Sequence, residues 1–261
     1  QGRRWWPGAG IQGEEMTVSA GLARRMAGSG VLLAMALVLA LSGCASGPRA
    51  NPADPLEPFN RSMSTFNDVV DRAVLKPAAT AYQRVTPAPV RTGASNFFGN
   101  VSDVWSFINT ALQLKPVEAL DNLMRVSVNT FFGLGGLLDV ASEMNIERHK
   151  EDFGQTLGRW GIPTGPYLVL PVFGPSTVRD ALAFGVETRA DVVRNLGHVP
   201  TRNSLLVVRT LEARANLLRV GDVVEEAALD KYSFTRDVFL QRRRSSVYDG
   251  EPPEDAQPEE R

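Results

Sequence analysis

Between Pro58 and Leu75 the apolar residues Phe59, Met63, Phe66, Val70 and Val74 recur at steps of four, three, four and four, which sets them on one face of a helix. The residues just ahead, Asp54-Pro55-Leu56-Glu57, resemble a capping box with proline in the first turn. Pro77 is expected to end this helix. Pro77, Pro87 and Pro89 each remove a backbone donor, so the stretch between them should hold only short pieces. A second helix is expected from Pro89 to Phe98. A third should run from Ser102, a good N-cap, to Leu114, with Val104, Trp105, Ile108, Ala111 and Leu112 on its apolar side. Pro116 opens the most regular pattern: Val117, Leu120, Met124, Val128 and Phe131 step along one side, and Glu118, Asp121, Asn122, Arg125 and Asn129 take the other.

This helix runs into Phe131-Phe132-Gly133-Leu134-Gly135-Gly136-Leu137-Leu138, an apolar segment broken by three glycines. From Phe153 to Asp180 glycine and proline recur every few residues, which leaves no room for a long helix. Tyr167–Leu170, bracketed by Pro166 and Pro171, reads as one short strand or an extended arm. Helices resume over Ser176–Glu187 and from Thr201, where Leu205, Val208, Leu211 and Ala215 align. A last helix near Ser233–Arg244 carries Phe234, Val238 and Phe239 and ends in Arg242-Arg243-Arg244. Those arginines suit the negative end of the helix dipole, with contact to anionic lipid headgroups as the alternative. The fold class expected is all-α, a single mostly helical domain with at most a minor strand element.

Ahead of the helices, Arg24 and Arg25 precede the eleven apolar residues Val31–Leu41, and Ser42-Gly43-Cys44 follow. Residues 16–43 therefore read as a signal peptide, too short in its apolar run for the roughly 20 residues of a membrane-crossing helix. Residues 1–15 precede Met16, match no targeting element and are expected to be an upstream translation artefact. Cys44 is the one cysteine. A lone thiol forms no intramolecular disulfide and is too few ligands for structural zinc. It reads as an attachment point, a buried free cysteine being the alternative. Residues 44–54 are small, polar and proline-bearing, a tether; residues 55–248 form the helical domain; residues 249–261, acidic and proline-rich, are expected to be disordered. Lys and Arg number 28 against 29 Asp and Glu, which leaves no nucleic-acid footprint.

Several motifs behind this leader resemble the MlaA (VacJ-like) lipoproteins. Leu41-Ser42-Gly43-Cys44 is similar to the bacterial lipobox, whose cysteine is acylated. Then come Phe59-Asn60-Arg61 and Phe66-Asn67 after the Asp54-Pro55-Leu56-Glu57 run, Ser95-Asn96-Phe97 with Gly99-Asn100, and Asn129-Thr130 before Gly133 to Val140. The block from Phe153-Gly154-Gln155-Thr156-Leu157-Gly158 through Gly165-Pro166-Tyr167, Leu170-Pro171 and Arg179-Asp180 completes the set. The likeness extends from about Asp54 to Tyr248 and departs at Gly185–Pro200, which is shorter and less aromatic than the family pattern. The resemblance implies a ring-like helical lipoprotein on the periplasmic side of the outer membrane, lipid-anchored and associated with an outer-membrane porin trimer. It would take mislocalised phospholipids from the outer leaflet and pass them through a channel to a soluble periplasmic lipid-binding protein, maintaining lipid asymmetry.

The residues themselves suit a lipid conduit better than catalysis. His149 and His198 both sit in polar surroundings, and no Gly-x-Ser-x-Gly elbow presents a nucleophile. Ser176 suits an N-cap better than a nucleophile. His149 lies near Glu147, Glu151 and Asp152 at spacings that match no two-histidine helix motif, a solvated charge run rather than a metal site. No strand precedes Gly133 and no Gly-Lys-Ser/Thr follows, so a phosphate loop is unsupported. A conduit needs an apolar wall and a hinge or gate. Phe131, Phe132, Leu137 and Leu138 are candidates for its membrane- or channel-facing rim, with Gly133, Gly135 and Gly136 giving mobility. The competing reading makes the phenylalanines core and the glycines a helix C-cap. No catalytic residue, metal or cofactor is expected beyond a covalent lipid on Cys44. A scaffolding envelope lipoprotein and, more distantly, a phospholipase-like enzyme are the alternatives.

Overall fold

The computed structural model describes residues 54–221 and 228–253. The leader, Cys44 and most of the tether lie outside the described residues, as do residues 254–261 of the tail. The chain divides into a first unit, Gln1–Leu56, and a second, Glu57–Arg261; every helix and strand described belongs to the second.

Helix α1 (Glu57–Val70), a π turn (Asp71–Leu75) and α2 (Lys76–Val85) follow one another without a break, so Pro77 does not end the first helix as expected. In the π turn the Lys76 N–H donates to the Asp71 carbonyl, one residue further back than in an α-helix. The widened turn makes room for the Pro77 ring and for its missing donor. Helix α3 (Ala88–Leu112) is one helix of 25 residues where two were expected, and Ser102 lies in its middle. Gly99 does not interrupt it: a Cβ there would stand 3.2 Å from the Arg148 guanidinium, so the glycine allows close packing that outweighs a helix penalty of about 1 kcal/mol.

Leu114, at φ 59°, turns the chain into α4 (Pro116–Phe131), which packs along α3. Short helices α5 (Val140–Glu143) and α6 (Phe153–Arg159) follow, capped by the Asp139 and Asp152 side chains. The strand expected at Tyr167–Leu170 is β1, and it has an unexpected antiparallel partner, β2 (Gly174–Thr177), with Tyr167 opposite Thr177 and Leu170 opposite Gly174. Helices α7 (Val178–Ala190), α8 (Val199–Asn216) and α9 (Lys231–Val247) complete the described elements.

Asparagine side chains fasten α1 to this hairpin. Asn60 donates to the Tyr167 carbonyl (3.0 Å) and accepts from the Val169 N–H (2.8 Å); Asn67 does the same with Leu170 (2.9 Å) and Val172 (2.6 Å). An amide side chain carries the donor and acceptor of a peptide group. Seven helical residues rise about 10.5 Å and three strand residues about 10 Å, so the two asparagines keep step with β1. Tyr167, Val169 and Tyr232 form a small apolar cluster with Met63, Phe239 and Leu240.

Elsewhere burial is inverted. The largest fully buried side chains are Arg125, Asn60, Asn109, Asn122 and Asn129. Along α4 the stripe that a water-soluble domain would bury faces outward, from Met124 at 50 % exposure to Phe131 at 80 %; of its members Val128 alone is buried. Helix α3 behaves alike, burying Asn100, Asp103, Ser106, Asn109 and Thr110 while exposing Ile108 and Leu112. No described helix is long and apolar enough to cross a membrane.

Candidate functional site

The glycine segment closes the end of α4. The Gly135 N–H donates to the Thr130 carbonyl (3.0 Å), Gly136 to Asn129 (2.8 Å) and Leu138 to Gly133 (2.9 Å). Leu134, Gly135 and Gly136 hold φ of 54°, 72° and 93°, the left-handed conformation that takes up the last helix carbonyls. A Cβ at Gly136 would come within 2.8 Å of the Asn100 amide, and one at Gly133 would run into the Asn129 and Leu138 carbonyl oxygens. The glycines therefore build a C-cap. The aromatic residues are not core: Phe131 and Phe132 point out, as do Leu134, Leu137 and Leu138. The segment is an exposed apolar stretch mounted on a hydrogen-bonded cap.

Polar side chains between α3 and α4 pin that stretch. Asn96 donates to the Leu137 carbonyl (3.1 Å) and Asn100 to the Thr130 hydroxyl (3.0 Å). Asp139, just past the loop, accepts from Arg125 Nη2 (2.8 and 3.0 Å) and from Asn129 (3.0 Å), while the Asn129 oxygen accepts from the Ala141 N–H (2.8 Å). Arg125 also donates to the Ile146 carbonyl (2.5 Å), and its Nε lies 3.6 Å from Asp103, which pairs with Arg148 at 2.9 Å. Further along, Asn122 exchanges two hydrogen bonds with the His149 backbone (2.9 and 3.3 Å), Ser106 exchanges two with that of Glu151 (3.3 and 3.2 Å), and Thr156 donates to Asn109 (2.8 Å). Sequence reasoning missed this seam. Its signal is a second stripe on α3, Asn96, Asn100, Asp103, Ser106, Thr110 and Gln113, at helical spacing.

Burial pushes the Asp103 carboxyl up, and Arg148 and Arg125 do not reverse the shift. Burial acts on Asp139 in the same direction, but hydrogen bonds from Ser142 and Asn129 and the Arg125 charge hold it at about 2, below the usual 3.8. A carboxyl depressed in the folded state stabilises the fold above its unfolded value, and the contribution is lost as pH falls through the folded one. Acid unfolding followed by circular dichroism should therefore steepen between pH 3.8 and about 2, and Asp139→Asn should remove that part of the slope. An unchanged acid limb in Asp139→Asn would place the loss elsewhere.

A family model described as MlaA lipoprotein matches residues 52–246. The chain belongs to the MlaA lipoprotein family. Two curated MlaA proteins, each named intermembrane phospholipid transport system lipoprotein MlaA, are 34 % identical to it. The one from Shigella flexneri aligns over 217 residues, 81 % of this chain and 86 % of its own length; the one from Haemophilus influenzae aligns over 230, 84 % and 91 %. An uncharacterized protein of Rickettsia bellii is 33 % identical over 195 residues, 74 % of this chain and 76 % of its own. A solved structure from work on the structural basis for maintenance of bacterial outer membrane lipid asymmetry superposes with a TM-score of 0.65 at 34 % identity, covering 74 % of this chain and 98 % of that one.

The remaining polar residues of this MlaA lipoprotein have definite places. The three arginines closing α9 separate: Arg243 binds Asp152 (2.5 and 2.6 Å) and Asp180 (2.9 and 3.0 Å), Arg244 donates to the Pro253 carbonyl, and Arg242 lines an open cleft. Lys115 is shared by Glu151 (3.1 Å), Asp249 (2.5 Å) and Glu118 (3.6 Å). The Lys115–Asp249 pair and a Gly250 N–H bond to the Ser245 carbonyl (2.9 Å) fold residues 249–253, the start of the expected disordered tail, onto the body. His149 Nε2 stands 3.1 Å from Asp121, and His198 caps α8 through Thr201. Ser176 lies in β2; its neighbour Thr177 is the N-cap of α7, correcting the sequence assignment by one residue. Among the described residues no three His, Cys, Asp or Glu side chains are grouped to hold a metal.

Proposed function

We propose that this chain withdraws mislocalised phospholipids from the outer leaflet of the outer membrane and passes them through a channel to a soluble periplasmic carrier, with a porin trimer beside it. In this reading acylated Cys44 anchors it on the periplasmic side, and the helical body is seated in the leaflet. The observation that carries the reading is the inverted burial of α3, α4 and the glycine rim. In water each large apolar side chain left exposed forgoes about 1.5–3 kcal/mol. In lipid that loss does not arise, because helices satisfy their own backbone, and the polar seam pairs most of its side-chain groups internally, Asn100 Oδ1 and Arg125 Nε excepted. Such a body offers acyl chains a wall and keeps a polar interior close by. A passive conduit of this kind requires no cofactor.

Cys44→Ala behind a cleavable signal tests the seating. That variant is expected to stay in the membrane fraction on the strength of the α4 face. Adding serine at Leu120, Met124, Phe131 and Phe132, none of them buried, should release it to the periplasm without lowering its unfolding midpoint. With Cys44 intact, the serine variant should accumulate outer-leaflet phospholipid, read by labelling lipid amines in whole cells with a membrane-impermeant reagent. Normal clearance by the serine variant would refute the proposal.

A further inference from the structure

An open cleft between the start of α4, residues 149–151 and α9 has a volume of about 790 Å³, within the roughly 300–1,000 Å³ of small-molecule sites. Its charges are unevenly paired. Glu118, Glu151 and Asp249 line it and share the single ammonium of Lys115, at 3.6, 3.1 and 2.5 Å, which leaves two carboxylate charges uncompensated at that end. The Lys150 ammonium and Arg242 guanidinium line the same cleft with no carboxylate or hydrogen-bond partner among the described residues. Arg242 also continues a stripe on α9: Phe234 and Val238, one turn apart and 44 % and 46 % exposed, precede it on the same helix face. Two outward apolar residues followed by an unpaired cation match the polarity of a lipid, chain first and phosphate last.

We propose that this cleft binds a zwitterionic headgroup, a phosphodiester linked to an ammonium. Lys150 and Arg242 take the phosphate, Glu118 and the surplus carboxylate charge around Lys115 take the ammonium, and Phe234 and Val238 guide an acyl chain. The assignment rests on the lipid-transport reading and adds the headgroup class to it. An anionic headgroup without an amine meets the same cations but is repelled by the surplus carboxylates, which is how a site discriminates between ligands that share a phosphate.

Calorimetric titration of the full-length lipoprotein in neutral detergent decides it. Dihexanoyl phosphatidylethanolamine should bind about tenfold tighter than dihexanoyl phosphatidylglycerol. Lys150→Gln with Arg242→Gln should weaken both by about tenfold or more, whereas Glu118→Gln should weaken the first and strengthen the second. Thermal melts of the variants matching the wild type would show that they fold. Glycerophosphoethanolamine and inorganic phosphate separate the possible sources: much weaker binding of both supports a lipid, and binding of either as tight as the lipid overturns that assignment. Equal affinity for the two lipids, no measurable binding, or an unchanged double variant also overturns the site. Outer-leaflet clearance in cells is read separately, so a chain that clears lipid without headgroup preference loses this site and keeps the transport reading.

Discussion

Replacing Arg125 with methionine should destabilise the fold by about 3–5 kcal/mol, the range for breaking a buried ion pair by removing one partner. Arg125 is 1 % exposed and serves the Ile146 carbonyl, both Asp139 oxygens and the Ser142 hydroxyl at once. The loss comes from the groups left behind rather than from the arginine itself. Asp103, already pushed up by burial, can take a proton, but Asp139 keeps only its Asn129 and Ser142 donors without a countercharge, and the Ile146 carbonyl loses its Arg125 donor beside an apolar side chain. Urea unfolding in micelles followed by circular dichroism measures the change. A loss under about 1 kcal/mol, typical of an exposed pair, would mean that water reaches the seam.

Gly133→Ala should destabilise by about 3 kcal/mol, the upper part of the overpacking range, because both obstacles to a Cβ are backbone carbonyls that cannot rotate aside. Gly135→Ala meets nothing within 4 Å and is opposed only by its φ of 72°, a penalty of about 1–2 kcal/mol. The pair separates a cap from a moving part. If the glycines only build the cap, Gly135→Ala clears outer-leaflet phospholipid in proportion to the folded protein present, and Gly133→Ala loses clearance with its fold. A deficit in Gly135→Ala beyond its loss of folded protein would assign motion to the loop.

Element positions were largely legible. The 3.6-residue step of α4 and its proline start located that helix nearly to the residue, and the prolines flanking Tyr167–Leu170 located β1. Breaks were overread at Pro77 and Ser102, because a π turn and a polar seam supplied by other elements are not local properties. Sidedness was the main loss. Periodicity states that Leu120, Met124 and Phe131 share a face, but the same steps serve a core in water and a wall in lipid. The distinguishing sign was the opposite stripe, where Asn122, Arg125 and Asn129 are buried and bond to residues 139–149. The cap built by the glycines after Phe132 depended on φ values that glycine content alone does not set.

The inverted interior also changes which positions evolution can reach. In a water-soluble domain drift collects on the outside and the apolar interior resists it. Here Asn60, Asn122 and Asn129 each complete two or more bonds that no other residue of their size reproduces, so a single substitution strands a partner. Leu120, Met124 and Phe131 need only remain apolar, and neutral exchange among leucine, methionine, isoleucine and phenylalanine is open to them. Mutational tolerance is therefore expected on the outward apolar face of α4, and constraint at the buried amides.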